Sequence, residues 1–210
     1  MSDEHLPLIF HPDEVQPAPS RLYFFDANVW LQLLRPYKVR PDMSPYVKLW
    51  RQLKGAGMPC IVANAVLVSE VFNRYLRLRF DVWKMLPATI TALQQTGRWS
   101  SGDKIDYKTH FRPSQTYKDY LELLLADWND IAYLVTYLPT EVESSIVPEM
   151  LRSYSKRADF NDRYYIEFCK AHKLWLVSHD GDFYTGGLTV VTANRDILGK
   201  YAEMKKNKKR

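Results

Sequence analysis

Four acidic residues stand where strands give way to helices: Asp26, Glu70, Asp162 and Asp180. Asp26 closes the apolar run "LYFF" (22–25) and passes at once into helix-like sequence, with Asn28 two residues on. Asp180 follows "LWLVS" (174–178) in the same way. In open parallel α/β sheets, ligands bind beyond the carboxyl ends of the strands. A single acid at such an end reads as a helix cap; two acids at two ends of one sheet read as parts of a shared site. Glu70 lies near the start of the helix after "CIVA" (60–63), and Asp162 opens the helix that feeds "LWLVS". Helix starts abut strand carboxyl ends in such folds, so all four acids are expected to converge. Clustered carboxylates repel one another unless a cation neutralises them. An all-oxygen ligand set suits Mg²⁺ or Mn²⁺. Such ions activate water and stabilise the oxyanions of phosphodiester hydrolysis.

The elements that must position these acids follow from hydrophobic pattern. Strands are expected at about 22–25, 59–63, 174–178 and 188–192, each nearly all apolar, and 133–138 is a further apolar run. Helices are expected at 29–34, 44–57, 65–84, 115–132, 139–156 and 159–172. Ser44 and Pro45 suit a helix start, and Gly55 and Gly57 a helix end. Thr140 and Glu143 form a candidate capping box, and Pro148 should bend or break that helix. Apolar strands alternating with helices argue for a parallel sheet covered on both faces, an α/β class. Residues 1–20, rich in proline and polar side chains, read as a loosely ordered lead-in. Residues 86–112 break the rhythm and read as an insertion, and 195–210 as a basic tail.

Composition bounds the function. At 210 residues, with 46% hydrophobic and 25% charged side chains, the chain fits one globular domain with an insertion. The two cysteines, Cys60 and Cys169, sit singly in apolar surroundings and read as reduced core residues. No secretory leader and no apolar stretch long enough to span a bilayer is seen, so a cytoplasmic location is expected. The net charge of +5 is compatible with a polyanionic partner. Much of it lies in "KKNKKR" (205–210), read first as a frayed, solvated run and second as a non-specific phosphate grip through residues such as Lys205 and Lys206.

Taken in order, "FFDANVWLQLL" (24–34), "VLVSEVFNRYL" (66–76), "FNDRYYIEFCKAHKLWLVSHDGDF" (160–183) and "LTVVTAN" (188–194) resemble the PIN-domain nucleases. The resemblance implies a PIN-like three-layer sandwich over 21–194, a central parallel sheet flanked by helices. It implies a metal-dependent endoribonuclease in which Asp26, Glu70, Asp162 and Asp180 hold one or two Mg²⁺ or Mn²⁺ ions and activated water attacks phosphorus in line. Asn28 and Ser178 would orient carboxylates or water. Asp182 is open between a peripheral metal contact and a turn former beside Gly181. The Asp162–Asp180 spacing is similar to that of the toxin nucleases of toxin–antitoxin pairs, which implies an antitoxin partner and makes a homodimer conceivable. Ser178 stands where that family often has Thr, and "RYYIEFC" (163–169) is bulkier than the Ala-rich helix usual in the toxins.

Other candidates carry simpler readings. Asp159 reads as a cap or surface acid. His179, beside Asp180, reads first as an incidental loop histidine and second as a phosphate contact. Trp99, Lys104, Tyr107, Lys108, His110, Phe111 and Arg112 interleave aromatic and basic side chains, a pattern that can bind RNA; a packed surface lobe is the preferred reading. Arg74 and Arg77 either flank the site as RNA contacts or form a solvated helix face. A catalytically silent PIN-like module that binds RNA or protein is the alternative function. An Asp-x-Asp phosphatase is disfavoured because "DAN" (26–28) lacks the second acid, and no phosphate-binding G-x-x-x-x-G-K loop occurs.

Overall fold

The computed structural model describes residues 7–18, 20–34, 43–141, 147–148 and 160–208. Six short strands form one sheet: β1 (Leu8–Phe10), β2 (Tyr23–Phe25), β3 (Ile61–Ala63), β4 (Val135–Tyr137), β5 (Trp175–Val177) and β6 (Thr189–Val191), in the spatial order β1-β6-β5-β2-β3-β4. Every pairing is parallel, with Phe25 opposite Val177 and Phe24 opposite Val62. Parallel strands need crossovers; α1 (Ala27–Leu33) and α2 (Ser44–Ala56) lie between β2 and β3, α3 (Ala65–Trp83), α4 (Pro87–Gln95) and α5 (Gln115–Asn129) between β3 and β4, and α6 (Phe160–Ala171) between β4 and β5, while α7 (Arg195–Lys208) follows β6.

The middle strand shows why there are three layers. Successive strand residues face opposite sides of a sheet. Phe25 turns to a tryptophan cluster, 5.8 Å from Trp30 of α1 and 6.1 Å from Trp50 of α2, and Trp30 lies 5.0 Å from Trp128 of α5. Phe24 turns the other way, onto Tyr165 (5.1 Å) and Phe168 (5.4 Å) of α6. Phe24, Phe25, Trp30, Tyr165 and Phe168 are all fully buried, and each such side chain contributes about 1.5–3 kcal/mol. The α/β three-layer expectation is met. Gly57 ends α2 in the left-handed region (φ 65°), a conformation that favours glycine.

Two expectations change. The lead-in is not loose over its described part: Leu8–Phe10 pairs with β6 as an edge strand, and Ile9 and Val15 are buried. His11 caps the short turn Pro12–Glu14, and Asp13 pairs with Lys48 of α2 at 2.8 Å. Three apolar residues among prolines suffice because β6 supplies a ready template of hydrogen-bonding groups. Residues 205–208 of the basic tail, the part the structure describes, continue helix α7 instead of forming a loose run, and Lys205 lies over the Tyr201 ring at 4.4 Å.

Residues 86–112 build a small helical lobe on the end of α3. Trp83, Leu93 and Phe111 form a second buried cluster, flanked by Phe80, Trp99, Ile105 and Tyr107. Most of the helix expected over 139–156 lies outside the described residues, as does Asp159.

Candidate active site

Asp26 sits where β2 hands the chain to α1. Its N–H continues the sheet by donating to the Val177 carbonyl (3.0 Å), while its own carbonyl starts the helix by accepting from Val29 and Trp30. Its side chain caps α1, accepting from the Ala27 N–H at 2.6 Å. Ser178, at the matching end of β5, donates its hydroxyl to the other carboxylate oxygen at 2.8 Å. Asp26 is only 4% exposed.

Glu70 projects from the second turn of α3, whose start Asn64 caps through the Leu67 N–H. Three donors hold it: the Tyr165 hydroxyl at 2.6 Å, the Asn161 amide at 3.0 Å and the Arg74 guanidinium at 3.1 Å. Asn161 and Tyr165 belong to α6, so these bonds tie α3 to the helix that carries Asp162.

Electrostatics shows which acids feel one another. The Asp26 carboxyl is pushed up to about 7, foremost by burial and then by the charges of Glu70 and Asp162; the bonds from Ser178 and Ala27 oppose the shift. Burial and the Glu70 carboxylate push the Tyr165 hydroxyl well above its ordinary range, so it stays a proton donor. Asp26, Glu70 and Asp162 therefore share one electrostatic field.

Asp180 joins the same rim by another route. Its N–H donates to the Ser178 hydroxyl at 3.0 Å, the hydroxyl that grips Asp26. Its own carboxylate accepts from the Asp182 N–H at 3.1 Å and caps the short turn Gly181–Phe183. Asp182 enters this turn through its backbone. Asn28 donates to the Ser178 hydroxyl and accepts from the His179 N–H, both at 3.4 Å.

Among the described residues, no group of three or more His, Cys, Asp or Glu side chains is arranged to hold a metal ion. The donor set nonetheless fits a hard divalent ion. Mg²⁺ is held by one or two carboxylates together with waters and substrate phosphates rather than by an all-protein cage. A carboxyl raised foremost by burial and further by neighbouring acids is what such an ion would relieve.

The remaining candidates divide. Arg74 is engaged with Glu70, and the Arg77 guanidinium lies 5.0 Å above the Tyr107 ring. Both line a cavity of about 570 Å³ beside Glu70. Lys108 and Arg112 sit exposed at the Tyr107–Phe111 turn of the lobe, and Lys205 and Lys206 are exposed on α7. The lobe's aromatics stack on one another, with Phe111 5.1 Å from Trp83 and 5.5 Å from Tyr117, so packing absorbs most of that pattern. Cys60 and Cys169 are buried, and burial raises both thiols, which makes them poor nucleophiles. Sequence reasoning missed Asn161 and Tyr165 as partners of Glu70. Their signal is spacing: they lie four apart and share a face of α6.

The family model of the PIN domain matches residues 23–188, a span that holds all four acids and four of the six strands. The chain belongs to the PIN-domain family. PIN domains are typically nucleases that act on nucleic acids and generally use divalent metals. Strand β1 and helix α7 lie outside the matched PIN span. Comparison with the curated proteins and with the solved structures gives no match. No described helix of this PIN-domain chain is long and apolar enough to cross a membrane.

Proposed function

We propose that this PIN domain is a metal-dependent endoribonuclease that hydrolyses RNA phosphodiester bonds with Mg²⁺ or Mn²⁺. The observation that carries the reading is the Asp26 carboxyl at the carboxyl edge of the sheet, raised foremost by its burial and further by the charges of Glu70 and Asp162. Bound ions would neutralise phosphate charge and make water a competent nucleophile. Asp26, Glu70 and Asp162 would hold them, with Asp180 completing the rim. Ser178 and Asn28 fix the Asp26 and Asp180 strand ends against each other, and Asn161 and Tyr165 fix Glu70. The role of toxin with a cognate antitoxin, and a homodimeric state, extend this proposal on the resemblance alone; a short neighbouring reading frame would support them.

One observation favours the second reading, a catalytically silent RNA- or protein-binding module. Glu70 is already satisfied by three donors, one of them the Arg74 cation. The two readings separate on the products of incubation with end-labelled RNA. Hydrolysis by water leaves ordinary hydroxyl and phosphate ends and tolerates a 2′-deoxy sugar at the scissile position. A silent module binds and leaves the RNA whole with Mg²⁺ and Mn²⁺ alike.

A further inference from the structure

A second cleft opens on the same edge of the sheet, on the far side of Asp26 from Arg74 and Arg77. It encloses about 600 Å³ and is lined by His11, Pro45, His179, Asn194, Arg195 and Asp196. Three neighbouring strands supply it: His11 follows β1, Asn194 and Arg195 follow β6, and His179 follows β5. Parallel strands lie about 4.8 Å apart, so the cleft begins one strand from Asp26 and ends about 15 Å away.

We propose that this cleft binds a backbone phosphate of the RNA strand beside the scissile bond, through Arg195 with His11 and His179; the inference rests on the nuclease reading above. A rim carrying Asp26, Glu70, Asp162 and Asp180 repels a polyanion, so a strand laid across it needs cationic partners on both sides. Arg74 and Arg77 line the cavity on one side, and the new cleft serves the other. It is built rather than incidental. The His179 ring is held at Nδ1 by the Tyr46 hydroxyl (3.0 Å), and its carbonyl accepts from the Asn194 amide (2.8 Å). The same Tyr46 hydroxyl donates to the Ser178 carbonyl and accepts from the Ala193 N–H. One buried phenol thus joins the cleft to the strand end that grips Asp26. His11 and Arg195 lie outside the matched span 23–188. Asp196 is the opposing charge on the cleft wall and limits how tightly a phosphate is held.

The test is anisotropy of a short labelled single-stranded RNA on the full chain in chelator, across a range of KCl. Arg195 and Asp196 are exposed, so their substitution spares the fold. Arg195→Ala should weaken binding roughly tenfold, the low end of what loss of a charged hydrogen bond does. The logarithmic salt slope should become shallower by about 0.7, one phosphate contact on a single strand. His11→Ala should weaken binding less, and Asp196→Asn should tighten it. Wild-type affinity and slope in Arg195→Ala, or no RNA binding by the unaltered chain, overturns the cleft. Cleavage is measured separately. A chain that binds through Arg195 but never cleaves refutes the nuclease reading and keeps the cleft; one that cleaves with Arg195-independent binding does the reverse.

Discussion

Replacing Asp26 by asparagine should make the metal-free protein more stable, and the gain should depend on pH. The ordinary value for this carboxyl is 3.8, and the native site raises it to about 7. Between about pH 4 and pH 7, the unfolded chain has released this proton while the native chain keeps it. Native stability therefore falls as pH rises through that window, at up to about 1.4 kcal/mol per unit. The accumulated penalty above pH 7 is about 2–4 kcal/mol. Asparagine keeps an acceptor for the Ala27 N–H and carries no charge, so it escapes the penalty. Roughly 2–4 °C per kcal/mol applies to a chain of this size, giving a rise in Tm of about 5–15 °C at pH 8 and almost none at pH 4. The assay is thermal melting of both proteins in chelated buffer from pH 4 to pH 8.5. Subtracting the two curves removes the contribution of the histidines. A difference that stays flat across this range would refute the argument that Asp26 is a strained, buried acid.

Further outcomes follow from the same geometry. Asp162→Asn should abolish cleavage, since its charge acts on Asp26, whereas Asp182→Asn should retain measurable activity because Asp182 enters the turn through its backbone; parallel cleavage assays with melting controls decide this. Phe111→Ala should destabilise the protein by roughly 3–5 kcal/mol, because it empties the fully buried centre of the lobe; denaturant titration reads the loss. Truncation before Lys205 should weaken RNA binding and make its salt slope shallower by about 0.7 for each phosphate that the removed lysines had neutralised. An unchanged slope returns those lysines to the role of a solvated helix end.

The strand-end places of Asp26 and Asp180 were legible in the sequence because each breaks a pattern. A carboxylate closing an all-apolar strand has few structural excuses, and the parallel-sheet rule says where such a residue points. The three layers were legible for a similar reason, since strands without alternation must be covered on both faces. What hid was whatever depends on pairing across long separations. Leu8–Phe10 is too short to announce a strand and becomes one only against β6. Tyr165 reads as one more aromatic of the α6 core face, and only the fold reveals its hydroxyl on Glu70. Tyr46 is the same case, a core ring whose oxygen ties β5 to β6. The lobe's aromatic and basic residues suggested RNA stacking because sequence cannot show that Trp83, Phe111 and Tyr117 stack on one another. The α7 lysines read as a loose run because a surface helix with so little apolar content leaves almost no periodic signal.

The central claim is that Asp26 anchors a metal-dependent RNA-cleaving site. Its most direct test is cleavage of end-labelled RNA by the wild-type chain and by Asp26→Asn, side by side, with Mn²⁺, with Mg²⁺ and in excess chelator. Cleavage by the wild type with either ion, lost in chelator, regained on adding Mn²⁺ and absent from a folded Asp26→Asn protein, is the predicted result. Cleavage that survives exhaustive chelation, or an Asp26→Asn protein that cuts at the wild-type rate, would contradict it.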